Sequence, residues 1–238
     1  RRPHPGPPEG LGLPAVNLAR LTWTEVPPAR VLAVPLGATE QHGPHLPLAT
    51  DTTVAVALAE RLAAAIENVV VAPALPYGSS GEHAGFPGTL SIGQDALEQV
   101  VVELVRSADA FAGVVIVSAH GGNAEPLGRA VATLTGEGRR VLAWSPPAGT
   151  GDAHAGCTET SLLLALDPDA VRLDAAVAGN RRPLAEVAGL LRSRGVAAVS
   201  PNGVLGDPAG ASAAEGLRLL DALGADLVAA VDRWGAGA

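Results

Sequence analysis

The residues that could do chemistry are gathered in a few short loops. Five of the six histidines lie in four segments, each of which follows or joins predicted strands. One of these segments, residues 35–51, holds two carboxylates and two imidazoles. In an extended stretch, residues two apart point the same way, so Glu40 and His42 can reach one centre. We expect a metal role for this pair, because neither side chain has an obvious packing role in a loop rich in Gly and Pro.

Three further residues complete the candidate metal set. Asp51 lies at the predicted start of a helix, where an N-cap role is the alternative. His120 follows the most apolar strand, and Glu159 lies in the first turn of a helix, where it could simply complement the helix dipole. Three carboxylates and two imidazoles are what two divalent cations sharing a bridging carboxylate and water require. Nitrogen and oxygen ligands of this kind suit zinc, iron or manganese.

Other polar residues of these loops are candidates for proton transfer or substrate contact. His154 lies near the expected centre without being needed as a ligand, and an imidazole can protonate a leaving amine near neutral pH. Glu82 is predicted as a catalytic residue and His83 as a substrate contact, with a structural role as the alternative for both. The other predicted substrate-binding residues are Gly121, Gly122 and Asn123. Glycines at a strand tip leave backbone N–H groups free to approach an anion.

The elements that position these loops alternate between strands and helices from Arg20 onward, which predicts a mostly parallel sheet covered by helices. Strands are predicted at 31–36, 69–72, 114–118 and 140–144. Helices are predicted at 52–66, 94–112, 124–135, 157–166 and 211–234, whereas 185–194 fits either a helix or an extra strand pair. Open α/β sheets bind ligands beyond the carboxyl ends of their strands, so we expect the four loops to converge on one crevice.

The overall composition indicates one globular domain with a sizeable core, because 47% of the 238 residues are hydrophobic. We expect residues 1–19 to form a mobile tail and residues 20–238 to form a single domain. The net charge of -8 argues against nucleic-acid or anionic-membrane partners, which require a basic face. No apolar stretch approaches the roughly 20 residues of a membrane span. The single cysteine, Cys157, excludes an internal disulfide and favours a reducing compartment, the cytoplasm.

Four segments resemble the motifs of the creatininase family, in the family's order and spacing. They are GATEQHGPHLPLATD at 37–51, GSSGEHAGFPGTLSI at 78–92, SAHGGN at 118–123 and HAGCTETS at 154–161. A weaker likeness is GVLGDP at 203–208. The resemblance implies a three-layer α/β/α amidohydrolase with a two-metal centre. It also implies assembly into a homo-oligomer, often a hexamer.

The resemblance further implies roles for individual positions. It places metal ligands at Glu40, His42, Asp51 and His120. Asp51 is then the bridge between the two metals. Creatininase itself has a metal-binding Glu at the position of Gly122, and in members with the His-Gly-Gly-Asn version the resemblance points to Glu159 for the missing carboxylate. The catalytic loop histidine aligns with His154, but the acidic residue before it is replaced by Ala153, which indicates a different substrate.

Within the family, a chain this short with all four motifs is similar to the mycofactocin-system branch. Members of that branch act as peptidases that release a modified C-terminal Val-Tyr dipeptide from a small ribosomally made precursor peptide. The first alternative is hydrolysis of a small cyclic or formyl amide by the same centre. A non-enzymatic metal-binding protein is disfavoured, because structural metal sites are closed by Cys and His. A Cys157 nucleophile paired with His154 would leave the other motif residues unexplained.

Overall fold

A sheet of five parallel strands forms the centre of the computed structural model, which describes residues 16–147, 149 and 151–236. The strands are β1 (Val16–Asn17), β2 (Val31–Leu36), β3 (Val69–Val71), β4 (Gly113–Ser118) and β5 (Val141–Trp144). They lie in the order β1-β3-β2-β4-β5, and each neighbouring pair is parallel. The predicted α/β class with a mostly parallel central sheet is confirmed.

From β2 to β5 a helix connects each strand to the next, and helices cover both faces of the sheet. The α-helices of the described residues are α1 (Thr50–Ala65), α2 (Gln94–Arg106), α3 (Ala124–Gly136), α4 (Cys157–Leu166), α5 (Leu184–Arg194), α6 (Val196–Val199) and α7 (Ala213–Ala236). The segment that fitted either a helix or a strand pair is therefore helical. Across the described part of the chain, no helix has the length and apolar character that crossing a bilayer requires.

The two faces of the sheet carry two separate hydrophobic cores. Because alternate residues of a strand point to opposite faces, Ala33 and Val115 pack against α1, α4 and α7. Leu32 and Ile116 pack on the other side, against α2 and α3. Strands buried on both faces read as near-continuous apolar runs, as β2 and β4 do. The predicted three-layer α/β/α architecture is confirmed.

The expected mobile tail at 1–19 falls only partly on the described residues. Residues 1–15 lie outside them. Val16–Asn17 form the edge strand β1, which pairs with β3, and a short 3-10 helix follows at Leu18–Arg20. Regular structure therefore begins before residue 20, because the sheet provides a partner strand for this segment.

The loops expected to form one crevice start side by side at the carboxyl edge of the sheet. The last residue of β2, Leu36, is in register with the last residue of β4, Ser118. The loop after β2 leads into α1, and the loop after β4 passes through a short 3-10 helix (Gly121–Asn123) into α3. The parallel register therefore brings together two of the segments that hold candidate ligands.

The loop after β2 approaches α1 so closely that Gly37 has no room for a side chain. A Cβ at this position would overlap the backbone and the hydroxyl of Thr52. We expect Gly37→Ala to lower the free energy of unfolding by about 1–3 kcal/mol, because overpacking forces the neighbouring backbone to shift. Urea denaturation followed by circular dichroism measures this change.

A matched control is Gly128→Ala in α3, where an added Cβ meets no atom within 4 Å. There the same substitution should stabilise the protein by about 0.4–1 kcal/mol, since alanine reduces the entropy of the unfolded chain. A Gly37→Ala protein as stable as the parent would contradict the close approach.

Candidate metal centre

A cluster of carboxylates and imidazoles lies beyond the carboxyl ends of β2 and β4. The structure brings together the five side chains predicted as metal ligands, which are Glu40, His42, Asp51, His120 and Glu159. Four of them are buried, whereas the side chain of Glu159 is 21% exposed. The cluster is therefore closed on the side of the sheet and reaches solvent near the start of α4.

The candidate ligand atoms form two groups that share Asp51. In the first group, His42 Nε2 lies 3.1 Å from Asp51 Oδ1 and 3.8 Å from Glu159 Oε2. In the second, His120 Nε2 lies 3.2 Å from Glu40 Oε2, and His120 Nδ1 lies 3.4 Å from Asp51 Oδ2. Within each group the ligand atoms lie within 4.8 Å of one another. Because its two oxygens face different groups, the Asp51 carboxylate has the geometry of a bridge.

Unsatisfied oxygens provide a test of whether the cluster fits cations. Both carboxylate oxygens of Glu40, and Oδ2 of Asp51, are buried without a hydrogen bond from any described residue. Native structures contain few such groups, because a buried polar atom that lacks a hydrogen bond is costly to remove from water. Divalent cations would satisfy these oxygens. The residues therefore fit the pair of metals that the family resemblance implies.

Local backbone structure orients two of these ligands. Nδ1 of His42 lies 3.1 Å from the carbonyl oxygen of Glu40, which can only accept a hydrogen bond, so the proton belongs on Nδ1. Without a cation, Nε2 also carries a proton and donates to Asp51 Oδ1 at 3.1 Å; a cation bound beside Asp51 would take the place of this proton. Oε2 of Glu159 accepts a hydrogen bond of 2.6 Å from the N–H of Ala155, which holds this carboxylate at the start of α4.

The close packing of these groups shifts their pKa values. Burial raises the pKa of Glu40 to about 7. Against the effect of burial, the Asp51 carboxylate raises the pKa of His42 to about 10, and His42 in turn lowers the pKa of Asp51. Burial lowers the pKa of His83 to about 3 and holds the pKa of His154 well below its usual range. The imidazoles of His83 and His154 are therefore neutral at pH 7 and can carry a lone pair.

His154 lies at the edge of the cluster with one nitrogen already engaged. Its Nε2 is 2.8 Å from the backbone oxygen of Gln41, so the proton of the neutral ring sits on Nε2. Its Nδ1 is 3.8 Å from Glu40 Oε1 and carries the lone pair. His154 also forms a third candidate ligand group with Glu40 and His42. The ring is thus placed to accept a proton or to contact a cation.

Glu82 and His83 occupy different positions relative to the cluster. Oε1 of Glu82 lies 3.7 Å from His120 Nε2, and the Glu82 side chain is 33% exposed. His83 is buried, and its Nε2 lies 3.4 Å from Glu40 Oε1. Glu82 can therefore reach both solvent and the cluster. His83 thus lies buried behind Glu40, and its predicted contact with substrate stays a prediction.

The loop between β3 and α2, which carries Ser79 and Glu82, leaves no room for a side chain at position 122. A Cβ at Gly122 would overlap the carbonyl oxygen of Ser79 and the carboxylate of Glu82. A Cβ at Gly121, in contrast, would meet no atom within 4 Å, and the predicted substrate contact there stays a prediction. The space next to Gly122 is thus already occupied by the loop that carries Glu82.

Asn123 joins the loops after β2 and β4 to the segment around Ser79. Its side chain is fully buried, and Oδ1 accepts a hydrogen bond of 2.9 Å from the N–H of Ser79. Its Nδ2 donates to the carbonyl oxygen of Gly37 at 3.1 Å and to the hydroxyl of Ser118 at 3.4 Å. The amide therefore positions these loops, and the predicted substrate contact of Asn123 stays a prediction.

Two alternative roles do not match the geometry, namely the N-cap role of Asp51 and the pairing of Cys157 with His154. Asp51 is the second residue of α1, whose N-cap is Ala49, and its carboxylate faces the histidines. Sγ of Cys157 lies 3.9 Å from the hydroxyl of Ser161 on the same helix, and no described imidazole pairs with it. His45, the second imidazole of residues 35–51, fits a hydrogen-bonded loop residue better than a ligand, because it is buried and its Nε2 pairs with Thr160 Oγ1 at 2.9 Å.

Two supporting residues were not singled out from the sequence. Gln41 is buried beside His83 and His154. The carboxylate of Asp152 accepts hydrogen bonds from the backbone N–H groups of Cys157 and Thr158 at the start of α4. The only sequence signal for Gln41 is its place between two predicted ligands, and for Asp152 it is an acidic residue shortly before a helix.

The sequence is similar to those of proteins of known family. The family model described as creatininase, creatinine amidohydrolase, matches residues 19–231. The chain is 49% identical over 234 residues to the mycofactocin precursor peptide peptidase of Mycolicibacterium smegmatis, covering 95% of this chain and 92% of that protein. It is 50% identical over 214 residues to the protein of the same name from Mycobacterium tuberculosis, covering 85% of each. Identity to the creatinine amidohydrolase of Pseudomonas putida is 32% over 200 residues, covering 68% of this chain and 76% of that protein.

Solved creatininase structures share the fold. The crystal structure of creatinine amidohydrolase superposes with a TM-score of 0.78 at 26% identity, covering 92% of this chain and 97% of that one. A manganese form and a mutant of Zn-Zn type give TM-scores of 0.78 and 0.77. The architecture and the cluster define an α/β/α hydrolase of amide bonds. The chain belongs to the creatininase family, as its motifs predicted.

The bonds made by Asn123 generate a stability prediction. We expect Asn123→Leu to lower the free energy of unfolding by about 1–3 kcal/mol, because it leaves buried backbone groups without partners. Urea denaturation measures the change. The control is Asn68→Leu, an exposed asparagine whose amide makes a long contact of 3.4 Å, where a change below about 0.5 kcal/mol is expected. Equal losses in the two variants would argue against the positioning role.

Proposed function

We propose that this chain is a metal-dependent peptidase that releases a C-terminal dipeptide from a modified precursor peptide in mycofactocin biosynthesis. The observation that carries the proposal is identity of 49–50% to proteins named mycofactocin precursor peptide peptidase. Identity to a creatinine amidohydrolase is only 32%. The carboxylate-rich cluster supports amide hydrolysis in either case. The similarity to these relatives therefore favours a precursor peptide as the substrate over a small cyclic or formyl amide.

Two divalent cations fit the two ligand groups. Glu40, Asp51 and His120 would hold one, and His42, Asp51 and Glu159 would hold the other. The donor set suits zinc, manganese or iron, and the solved creatininases described above include manganese and zinc forms. When bound, such a pair lowers the pKa of water and polarises an amide carbonyl.

His154 is the residue that we assign to proton transfer. Its lone pair at Nδ1 faces the cluster, while its Nε2–H is held by the backbone oxygen of Gln41. Nδ1 can take the proton from the water that adds to the carbonyl carbon. It can then return this proton to the amide nitrogen as the C–N bond breaks. Glu82, at the exposed edge of the cluster, is a second candidate for holding a proton.

Self-association stays a prediction. Large apolar side chains on the surface support it, among them Trp23 at 86% and Leu90 at 55% exposure. A homo-oligomer would remove such side chains from water.

The shared position of Asp51 predicts an asymmetry between two variants. We expect the parent protein to contain about two transition-metal ions per chain by elemental analysis. Asp51→Asn should lose both ions, because both ligand groups include this carboxylate. Glu159→Gln should lose about one, because Glu159 belongs to one group only.

The control for metal content is Glu60→Gln, an exposed carboxylate on the same helix as Asp51. It should bind as much metal as the parent. If Glu159→Gln bound as much metal as the parent, Glu159 would not be a metal ligand, and another residue would have to supply that ligand. Full activity of a rigorously metal-free sample would contradict the metal-dependent mechanism.

The substrate assignment is tested with two compounds. We expect the metal-loaded protein to release a C-terminal Val-Tyr dipeptide from the modified precursor peptide, measured by mass spectrometry, and to leave creatinine unchanged. A control peptide with an added C-terminal residue shows whether cleavage depends on the free end. The reverse pattern, turnover of creatinine only, would return the chain to the small-amide branch.

The proposed role of His154 predicts that its removal lowers the rate without changing metal binding. If Nδ1 moves the proton, His154→Ala should keep both metals and lose about 10²–10⁴-fold in kcat, the range that general acid-base catalysis supplies. Stopped assays and elemental analysis on the same sample measure the two quantities. Loss of metal together with activity would make His154 a ligand, as its third candidate group allows.

A further inference from the structure

Gln41 is a buried polar residue to which the proposed mechanism gives no side-chain role. It lies in the first motif between Glu40 and His42, and its side chain is 6% exposed. Its amide nitrogen lies 2.9 Å from His83 Nδ1 and 3.1 Å from His154 Nε2. The side chain therefore touches both histidines that lie beside the cluster without belonging to the two ligand groups.

The orientation of the Gln41 amide follows from two backbone partners. Its Oε1 accepts a hydrogen bond of 2.9 Å from the N–H of Gly43, and its Nε2 donates to the carbonyl oxygen of Gly203 at 3.1 Å. The reversed amide would place oxygen against oxygen and N–H against N–H. The NH₂ group thus faces the histidines, and Gly203 belongs to the GVLGDP segment, whose role the mechanism left unexplained.

The amide has two hydrogens, and two acceptors receive them. One hydrogen goes to Gly203, so the other goes to Nδ1 of His83. The 3.1 Å contact with His154 Nε2 joins two donors, since that nitrogen donates its own proton to the backbone oxygen of Gln41. This contact is therefore packing and not a hydrogen bond.

Because of these bonds, one of the two neighbouring imidazoles directs an N–H toward Glu40 and the other directs a nitrogen lone pair toward it. His83 accepts at Nδ1, so its proton sits on Nε2, 3.4 Å from Glu40 Oε1. His154 donates at Nε2, so its lone pair sits on Nδ1, 3.8 Å from the same oxygen. The ring centroids lie 4.5 Å apart. One histidine thus presents an N–H and the other a lone pair to one carboxylate oxygen.

We propose that Gln41 is a positioning residue that fixes His83 as the Nε2–H form through its amide, and His154 as the Nε2–H form through its backbone oxygen. The Nε2–H of His83 keeps that nitrogen from binding a cation and leaves Glu40 to the ligand group. The lone pair of His154 remains available for proton transfer. The consequence for rate rests on the proposed function, whereas the proton positions do not.

The Gly203 backbone is shaped to receive this amide. Gly203 has φ +80, and a Cβ there would overlap Oε1 of Gln41. Two residues on, Leu205 exchanges backbone hydrogen bonds with His154 at 2.9 and 3.2 Å. The same segment therefore holds both the amide of Gln41 and the loop of His154.

The test uses nitrogen NMR of the zinc-loaded protein labelled with ¹⁵N-histidine. We expect both His83 and His154 in the parent to carry the proton on Nε2. Gln41→Met keeps the length of the side chain but has no N–H. In this variant the proton of His83 should be shared between Nδ1 and Nε2, whereas the proton of His154 should stay on Nε2. In Gln41→Glu, whose carboxylate accepts, the proton of His83 should move to Nδ1. The control, Gln94→Met at an exposed position, should leave both rings unchanged.

Kinetics and metal content complete the experiment. Gln41→Met should keep both metals and its KM for the precursor peptide, and lose about 10–100-fold in kcat, as loss of a group supporting a metal site typically does. In a His83→Phe background the same substitution should have a much smaller effect, because the amide then has no ring to orient.

Three results would overturn the proposal. They are a parent protein with the His83 proton on Nδ1, a His83 form unchanged in Gln41→Met and Gln41→Glu, or fully additive effects of Gln41→Met and His83→Phe on kcat. A parent protein that cleaves neither peptide nor creatinine would refute the proposed function. In that case the NMR result would still decide the role of Gln41.

Discussion

The burial of negative charge at the carboxyl edge of β2 and β4 is the constraint on which the rest of the site depends. Glu40 is fully buried, and neither of its carboxylate oxygens receives a hydrogen bond from the described residues. Asp51 divides its two oxygens between two imidazoles. Such an arrangement is costly in a protein interior unless cations compensate it. The surrounding loops can be understood as the scaffold that keeps these groups together.

That scaffold consists largely of neutral hydrogen bonds between loops that are distant in sequence. Asn123 connects the loops after β2 and β4 to the segment around Ser79, and Gln41 connects the first motif to Gly203. Neutral amides are suited to this task, because they supply both a donor and an acceptor without adding charge to a crowded site. The glycines at 37 and 122 serve the same end by allowing close approach of backbone.

Much of the fold and of the ligand set could be predicted from the sequence, because both depend on local patterns. Apolar runs predicted β2 and β4 within a residue of their bounds. The helix predicted at 94–112 instead ends at Arg106, where the hydroxyl of Ser107 bonds back to the carbonyl oxygen of Leu104. The edge strand Val16–Asn17 was also missed, since two residues form a strand only when β3 is present beside them.

The sequence by itself determined which residue types are present and their spacing, and hence the creatininase motifs and the five candidate ligands. Only the tertiary structure decided which atoms meet. His83 and Asn123 have the same loop context as the ligands, yet the fold buries one behind Glu40 and uses the other as a connection between loops. Gln41 acquires its partners from segments 42 and 162 positions away along the chain. Such contacts are long-range, and local propensity and periodicity carry no information about them.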